Sequence, residues 1–159
     1  MSSTPLQALR EHALRLLARR EHSRTELERK IKSPFNDENI TSLLDELEER
    51  GLLSDQRFAE SRITHRSSRF GNARMAHELR TQGVDGEIIS AALESAGDEL
   101  TRARAIWNKK FKTPPETRAD WAKQARFLQT RGFGSDIIRQ ALQSEALDET
   151  DEFVKALPD

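Results

Sequence analysis

Residues 83–93 read GVDGEIISAAL, and residues 132–142 read GFGSDIIRQAL. The two stretches lie 49 positions apart, and residues 34–44, PFNDENITSLL, stand at the same offset before them. Several other positions repeat at this offset. The aligned sets are Leu9, Phe58 and Trp107; Arg20, Arg69 and Arg118; Phe35, Val84 and Phe133; Ile40, Ile89 and Ile138; and Leu44, Leu93 and Leu142. A period of this length predicts one helical module used three times, with each copy burying its apolar face against its neighbours.

Each module is expected to contain three helices. Residues 23–26 have the pattern of a capping box that begins the second helix, and Gly51 supplies a left-handed residue that ends the third. Residues 113–116, TPPE, have a second capping-box pattern with proline at the first helical position. Residues 132–134 are interpreted as a helix stop. Because no two-residue alternation bounded by hairpin turns is present, no strands are expected.

The predicted fold is therefore all-α, with three tandem three-helix repeats that form an elongated, curved array. We expect the first repeat to span residues 1–55, the second 56–98 and the third 99–147. Residues 148–159 are expected to be an acidic tail, because apolar residues become sparse there.

Composition excludes several classes of site. The 159-residue chain has no cysteine, which rules out disulfides, thiolate zinc sites and a cysteine nucleophile. Its four histidines do not share a metal-ligand spacing, and no phosphate-binding loop or nucleophile elbow is present. We therefore expect no metal, no cofactor and no enzymatic activity. With no export signal and no apolar run near the ~20 residues of a membrane span, we expect a cytoplasmic monomer without a membrane partner.

The net charge of −1 hides a regular segregation. Residues 10–32 hold eight Lys or Arg against four acids, 56–80 hold six against two, and 101–131 hold nine against two. The stretches between and after them are acidic. A solvated charge face explains any one stretch, but three alternations predict a basic band beside an acidic band. The basic band could bind nucleic-acid phosphate, but a charged protein surface fits both bands better.

Arg62, Arg66, Arg69 and Arg74 are the densest candidates of the middle repeat. Within residues 69–74, RFGNAR, two arginines flank a helix break and could bind a carboxylate or phosphate bidentately. Pairing within the repeat, with Glu60 or Glu78, is the alternative. Trp107 and Trp121 lie on apolar stripes, which favours core packing over base stacking. The candidate residues for binding a partner or DNA are Arg57, Arg62, Arg66, Arg69, Arg74, Lys109, Lys110, Lys112, Arg118, Lys123 and Arg126.

Residues 51–59, GLLSDQRFA, closely resemble a segment of the RecX family. The match extends in order over about residues 9–143. Further matching positions are His22, Ser23, Glu26, Leu27, Arg69, Gly71, Arg74, Met75, Glu78, Leu79, Gly83, Val84, Phe127, Leu128, Arg131, Gly132, Phe133, Ile137 and Ile138.

The resemblance implies a regulator of the RecA recombinase that binds along the groove of the RecA–DNA filament and suppresses ATP hydrolysis and strand exchange. It also implies roles in recombination, DNA repair and the SOS response. The expected partners are the RecA filament and, weakly and without sequence preference, single- and double-stranded DNA. The alternative is a nonspecific DNA-binding helical module that acts without a recombinase.

Overall fold

Nine helices account for most of the residues that the structure, a computed structural model, describes, namely 4–32 and 37–143. This part of the chain contains no strand, so the all-α prediction is confirmed. The predicted tail at residues 148–159 lies outside the described residues. The helices are α1 (Pro5–Arg19), α2 (Arg24–Ile31), α3 (Asp37–Glu49), α4 (Asp55–Arg66), α5 (Asn72–Thr81), α6 (Gly86–Glu94), α7 (Glu99–Lys110), α8 (Arg118–Thr130) and α9 (Ser135–Leu142).

Most of the described helix ends follow the sequence signals. Ser23 caps α2 by accepting a hydrogen bond from the Glu26 amide, and Gly51, Gly83 and Gly132 all have positive φ after helices. The predicted helix start at residues 113–116 is wrong, because α8 begins at Arg118 and Thr117 caps it. The consecutive prolines explain the difference, since a residue that precedes proline is driven to extended backbone.

The described residues form two compact units that share the middle repeat. Unit 1 contains the residues up to Arg62 together with Glu78–Ala92, and unit 2 contains Ile63–His77 together with the residues from Leu93 onward. Each unit has its own apolar core. The core of unit 1 includes Leu9, Leu27, Ile40 and Leu44, and that of unit 2 includes Ile106, Trp121, Leu128 and Ile138.

The same docking contact occurs once in each unit. In unit 1, α2 meets the residues that follow α5, and a Cβ added to Gly83 would lie 2.6 Å from Cβ of Thr25. In unit 2, α5 meets the residues that follow α8, and a Cβ added to Gly132 would lie 2.9 Å from the Arg74 amide nitrogen. Both pairs are related by the 49-residue offset, so the repeat conserves an interface as well as an apolar stripe.

Carboxylates strengthen this contact in both units. Asp55, the first residue of α4, accepts a hydrogen bond from the backbone N–H of Arg24 at 2.8 Å. Glu99, the first residue of α7, accepts one from the backbone N–H of Asn72 at 3.0 Å. A carboxylate at a helix N-terminus satisfies a free amide and complements the helix dipole. The middle helices of the first two repeats, α2 and α5, are thus each capped by the helix that opens the next repeat.

Candidate functional site

The most concentrated positive charge in the described residues surrounds the ring of Phe70. The guanidinium carbons of Arg74, Arg66, Arg69 and Arg131 lie 4.1, 4.5, 5.4 and 5.9 Å from its centre. The ring itself is only 9% exposed. We call this group, Phe70 with its four arginines, the Phe70 arginine cluster. All five residues belong to unit 2.

The turn between α4 and α5 and the end of α8 bring these residues together. The Phe70 amide donates to the Arg66 carbonyl at 3.0 Å, and the Gly71 amide donates to the Arg131 carbonyl at 2.7 Å. A Cβ on Gly71 would lie 2.7 Å from the Phe133 amide nitrogen, so only glycine allows the two backbones to approach this closely. This close approach of the two backbones therefore depends on Gly71. It also fixes the position from which Arg131 reaches the cluster.

Two side-chain contacts hold the turn in place. Arg74 donates from Nη1 to the Thr130 carbonyl at 3.2 Å, at the C-terminal end of α8. Arg102 donates from both terminal nitrogens to Oδ1 of Asn72, at 3.0 and 2.7 Å. Burial lowers the pKa of Arg102 from its usual value. Arg102 therefore positions the turn, and sequence reasoning did not single it out.

The cluster gathers four arginine side chains around one aromatic ring. No two guanidinium carbons can be farther apart than the sum of the 5.4 and 5.9 Å distances of Arg69 and Arg131. A cation over an aromatic face gains about 0.5–2 kcal/mol, while neighbouring cations repel one another. Such a group attracts anions, and the guanidinium forks suit bidentate binding of carboxylate or phosphate.

The structure brings together three of the candidates from the sequence, Arg66, Arg69 and Arg74. Arg57 instead lies in unit 1, where its Nε donates to Glu21 Oε1 at 2.9 Å and its Nη2 to the Gly51 carbonyl at 2.7 Å. The other candidates are distributed as follows: Arg62 is half-buried in unit 1, Lys109 and Lys110 are exposed at the end of α7, Lys112 is exposed just after it, and Arg118, Lys123 and Arg126 are exposed on α8.

The sequence alone did not predict that Arg131 and the ring of Phe70 belong to this site. Arg131 aligns at the 49-residue offset with Gln82, so the repeat gives no signal that it belongs to a basic site. Phe70 was read as part of a helix break rather than as a platform for guanidinium groups. The sequence does contain a signal. Arg131 directly precedes Gly132, which lies 49 residues after Gly83, the glycine of the docking contact in unit 1.

Ion pairs occur in both units: Arg139 pairs with Asp136 in unit 2, and the following pairs belong to unit 1. Arg10 forms a bidentate pair with Glu46, at 2.7 and 2.6 Å, and this hydrogen-bonded pair lowers the pKa of Glu46. The other pairs recorded there are Arg20 with Glu26, Arg24 with Asp45 and Glu48, Arg50 with Glu46, and Arg57 with Glu21. These arginines are paired with acids of their own unit.

Metal-binding groups and membrane-spanning helices are both absent from the described residues. No group of three or more histidine or acidic side chains within residues 4–32 and 37–143 could hold a metal ion. Over the same residues, none of the helices combines the length and the apolar character needed to cross a bilayer. Both tryptophans lie against the unit 2 core, and Trp107 donates from Nε1 to Gln124 Oε1 at 2.7 Å.

Two family descriptions match the chain in order. "RecX, second three-helix domain" matches residues 54–93, and "RecX, third three-helix domain" matches residues 97–142. The regulatory protein RecX of Leptothrix cholodnii is 42% identical over 144 residues, covering 89% of this chain and 92% of the relative. The chain belongs to the RecX family. The RecX of Herbaspirillum seropedicae is 43% identical over 150 residues, covering 92% of this chain and 97% of its own.

Crystal structures share the RecX fold with this chain. RecX from Lactobacillus salivarius superposes with a TM-score of 0.76 at 23% identity, over 87% of this chain and 94% of its own. A second crystal structure of a regulatory protein RecX gives a TM-score of 0.74 at 20% identity, over 86% of this chain and 72% of its own. In this RecX-family chain, Arg69, Gly71 and Arg74 of the recognised sequence pattern all lie at the Phe70 arginine cluster or its turn.

Proposed function

We propose that this RecX-family protein regulates the RecA recombinase by binding along the groove of the RecA–DNA filament, where it suppresses ATP hydrolysis and strand exchange. This activity would act in recombination, DNA repair and the SOS response. Relatives named as regulatory proteins, matched over 92% and 97% of their own length, support the regulatory part of the proposal. The protein would act as a cytoplasmic monomer and would not itself catalyse a reaction.

The Phe70 arginine cluster is the observation that carries the proposal. Its four guanidinium groups lie within 5.9 Å of the centre of one buried ring, so they present several positive charges in one place. A filament of protein and DNA offers both carboxylate and phosphate to such a surface. The exposed cations Lys109, Lys110 and Lys112 add positive charge to the same unit.

A titration of the RecA ATPase tests the proposal. RecA filaments are preformed on circular single-stranded DNA, and the protein is added up to a stoichiometric amount at moderate salt. We expect ATP hydrolysis to fall with added protein. An ATPase rate that stays constant throughout the titration would refute the proposal.

The DNA-binding module without a recombinase partner remains the competing function, because the same cluster suits phosphate. Gel shifts on bare single- and double-stranded DNA separate the two functions. Nonspecific binding normally has a Kd of about 10⁻⁴–10⁻⁶ M at physiological salt, and we expect this range. Nanomolar binding to bare DNA, with no effect on RecA, would favour the module.

A further inference from the structure

A groove on unit 2 lies between α7, α9 and the loop that joins α7 to α8. Its volume is about 320 Å³, and the residues that line it include Trp107, Pro114, Pro115, Ala141, Leu142 and Gln143. Trp107 is half-buried, and its indole N–H already donates to the buried Gln124 side chain at 2.7 Å. The part of the ring that remains exposed in the groove is therefore carbon, which gains by being covered.

The repeat shows how this position is covered elsewhere in the chain. Leu9 and Phe58, which align with Trp107 at the 49-residue offset, are both buried. In the first repeat, the chain that follows the third helix supplies Leu53, which is buried in the same apolar core as Leu9. After α9 the structure describes only Gln143, so the corresponding segment of the third repeat is residues 144–159.

We infer that residues 144–159 of the same chain bind this groove and cover Trp107. The segment follows directly on Gln143, which itself lines the groove, so it begins at the site that it would fill. A tethered segment has an effective concentration on the order of millimolar at such a site. A contact too weak to hold two separate molecules together is therefore sufficient.

Phe153 is the residue of this segment best placed to cover an apolar surface. It is the only aromatic residue of the segment, and it follows Leu142 by eleven positions. In the first repeat, Leu53 follows Leu44, the residue aligned with Leu142, by nine positions. The segment thus carries a large apolar side chain close to the position that the first repeat uses for the same purpose.

The charges of the groove and of the segment are complementary. Among the described residues that line the groove, only Arg104 is charged, and it is exposed. Lys109 and Lys110, at the end of the same helix, are also exposed. Residues 144–159 contain six acids and a single base, Lys155. An acidic segment with one aromatic side chain therefore matches an apolar groove on a basic helix.

The absence of cysteine from the chain allows a single labelled position to report the contact. Val154→Cys, beside Phe153, carries a bimane label, whose fluorescence tryptophan quenches on contact. We expect this label to be quenched in the full chain and Trp107→Phe to restore its fluorescence. Trp107→Phe should fold, because phenylalanine is the residue at the aligned position Phe58. A label at Arg15→Cys, an exposed position of α1 in unit 1, gives the unquenched reference.

Two substitutions test what holds the segment in the groove. Phe153→Ala should raise the ratio of released to bound segment by at least about tenfold, because a buried aromatic ring is lost. Arg104→Glu should raise this ratio by about fivefold, the upper range for one exposed charge pair, and by more at low salt. Arg15→Glu makes the same charge reversal in unit 1 and should leave the Val154→Cys label quenched. Circular dichroism should confirm that every variant is folded.

Three results would overturn the inference. The first is a Val154→Cys label as bright as the Arg15→Cys reference, and the second is quenching that persists in Trp107→Phe or in both Phe153→Ala and Arg104→Glu. The third is quenching that falls on dilution, because the segment of a second copy would then fill the groove. The samples contain neither RecA nor nucleic acid, so this inference and the proposed function can fail independently.

Discussion

Gly132 combines two requirements that only glycine meets. Its φ is +93°, and a Cβ there would lie 2.9 Å from the Arg74 amide nitrogen. Gly97 has a similar φ of +82° but open space around it, and Gly134 has neither constraint. Substituting alanine at these three positions separates two losses of unfolding free energy, one from backbone conformation and one from steric contact.

We expect Gly132→Ala to lower the free energy of unfolding by on the order of 3 kcal/mol, because strain at positive φ adds to overpacking. Gly97→Ala should cost about 1 kcal/mol, from its φ alone. Gly134→Ala should cost about 0.5–1 kcal/mol, because alanine is a poorer N-cap of α9 than glycine. Urea unfolding measures all three. Equal costs at Gly132 and Gly97 would show that the docking contact does not constrain Gly132.

His22 makes the stability of the first repeat dependent on pH. The side chain is 1% exposed, its Nδ1 lies 3.0 Å from the Arg20 carbonyl, and its Nε2 lies 3.0 Å from Nζ of Lys30. This geometry fits the neutral ring, with Nδ1–H donating and Nε2 accepting. Burial lowers the pKa of His22 below 6.5. Burial alone would raise the pKa of neighbouring Glu26, but its hydrogen bond and charge interaction with Arg20 lower it overall.

The sign of the pH effect follows from both shifts. The unfolded chain takes up a proton on His22 at a higher pH than the folded chain does, so stability is complete above pH ~6.5 and falls as the pH drops below it. Glu26 adds a further loss below its unfolded value of 4.5. We expect the unfolding free energy to decrease from pH 7.5 to 5.5, and His22→Gln to flatten this decrease. The same slope in both proteins would contradict this origin.

At the scale of the helices, capping side chains also join neighbouring repeats. Ser23 is fully buried, accepts a hydrogen bond from the Glu26 amide at 3.1 Å, and donates one to the Gln82 carbonyl at 2.7 Å. Thr4 caps α1 in a capping box but is exposed and bonds only within its own helix. Ser23 therefore stabilises both a helix and the contact between two helices.

Ser23→Ala should destabilise the protein more than Thr4→Ala does. Loss of a cap costs about 0.5–2 kcal/mol in either case. Ser23→Ala also leaves a carbonyl without its hydrogen bond, which adds about 1 kcal/mol. Thermal unfolding of both variants measures the difference. Equal shifts in Tm would indicate that water replaces the serine hydroxyl at Gln82.

Helix ends show why local sequence patterns give incomplete predictions. The Ser23 cap was predicted correctly, but the Glu26 side chain binds Arg20 and Lys30 rather than completing a capping box. The start of α8 was misplaced because a threonine four residues later, Thr117, offers an equivalent cap beyond the prolines. A capping pattern indicates which residues could cap a helix. Tertiary packing determines which of them does so.

At the scale of the whole molecule, arginines take part in two kinds of arrangement, and ion pairs occur in both units, as between Arg139 and Asp136 of unit 2. In unit 1, arginines pair with acids of the same unit, as Arg10 does with Glu46. In unit 2, arginines converge on Phe70. A net charge of −1 is therefore compatible with a local anion-binding surface, because the balance of charge over the chain is not the balance at a site.

Reversing Arg69 and Arg74 to glutamate should weaken inhibition of RecA filaments while leaving helicity intact. Two acids would repel the anionic partner, and the effect should grow as the ionic strength falls. Arg15→Glu with Arg19→Glu, at two exposed positions of α1, reverses the same amount of charge in unit 1. The ATPase titration measures both double variants. Equal inhibition by the two would place the contact with the filament away from the Phe70 arginine cluster.

The sequence by itself determined the helices, their repetition every 49 residues and most of their ends, because apolar spacing, caps and glycines act within a few residues of one another. It also placed Arg66, Arg69 and Arg74 in one basic segment. Only the tertiary structure decided that Arg131 joins them around Phe70, because the docking of α5 on the end of α8 brings together residues from different repeats. Tertiary structure likewise decided which arginines pair with acids, since a charge finds its partner through space and not along the chain.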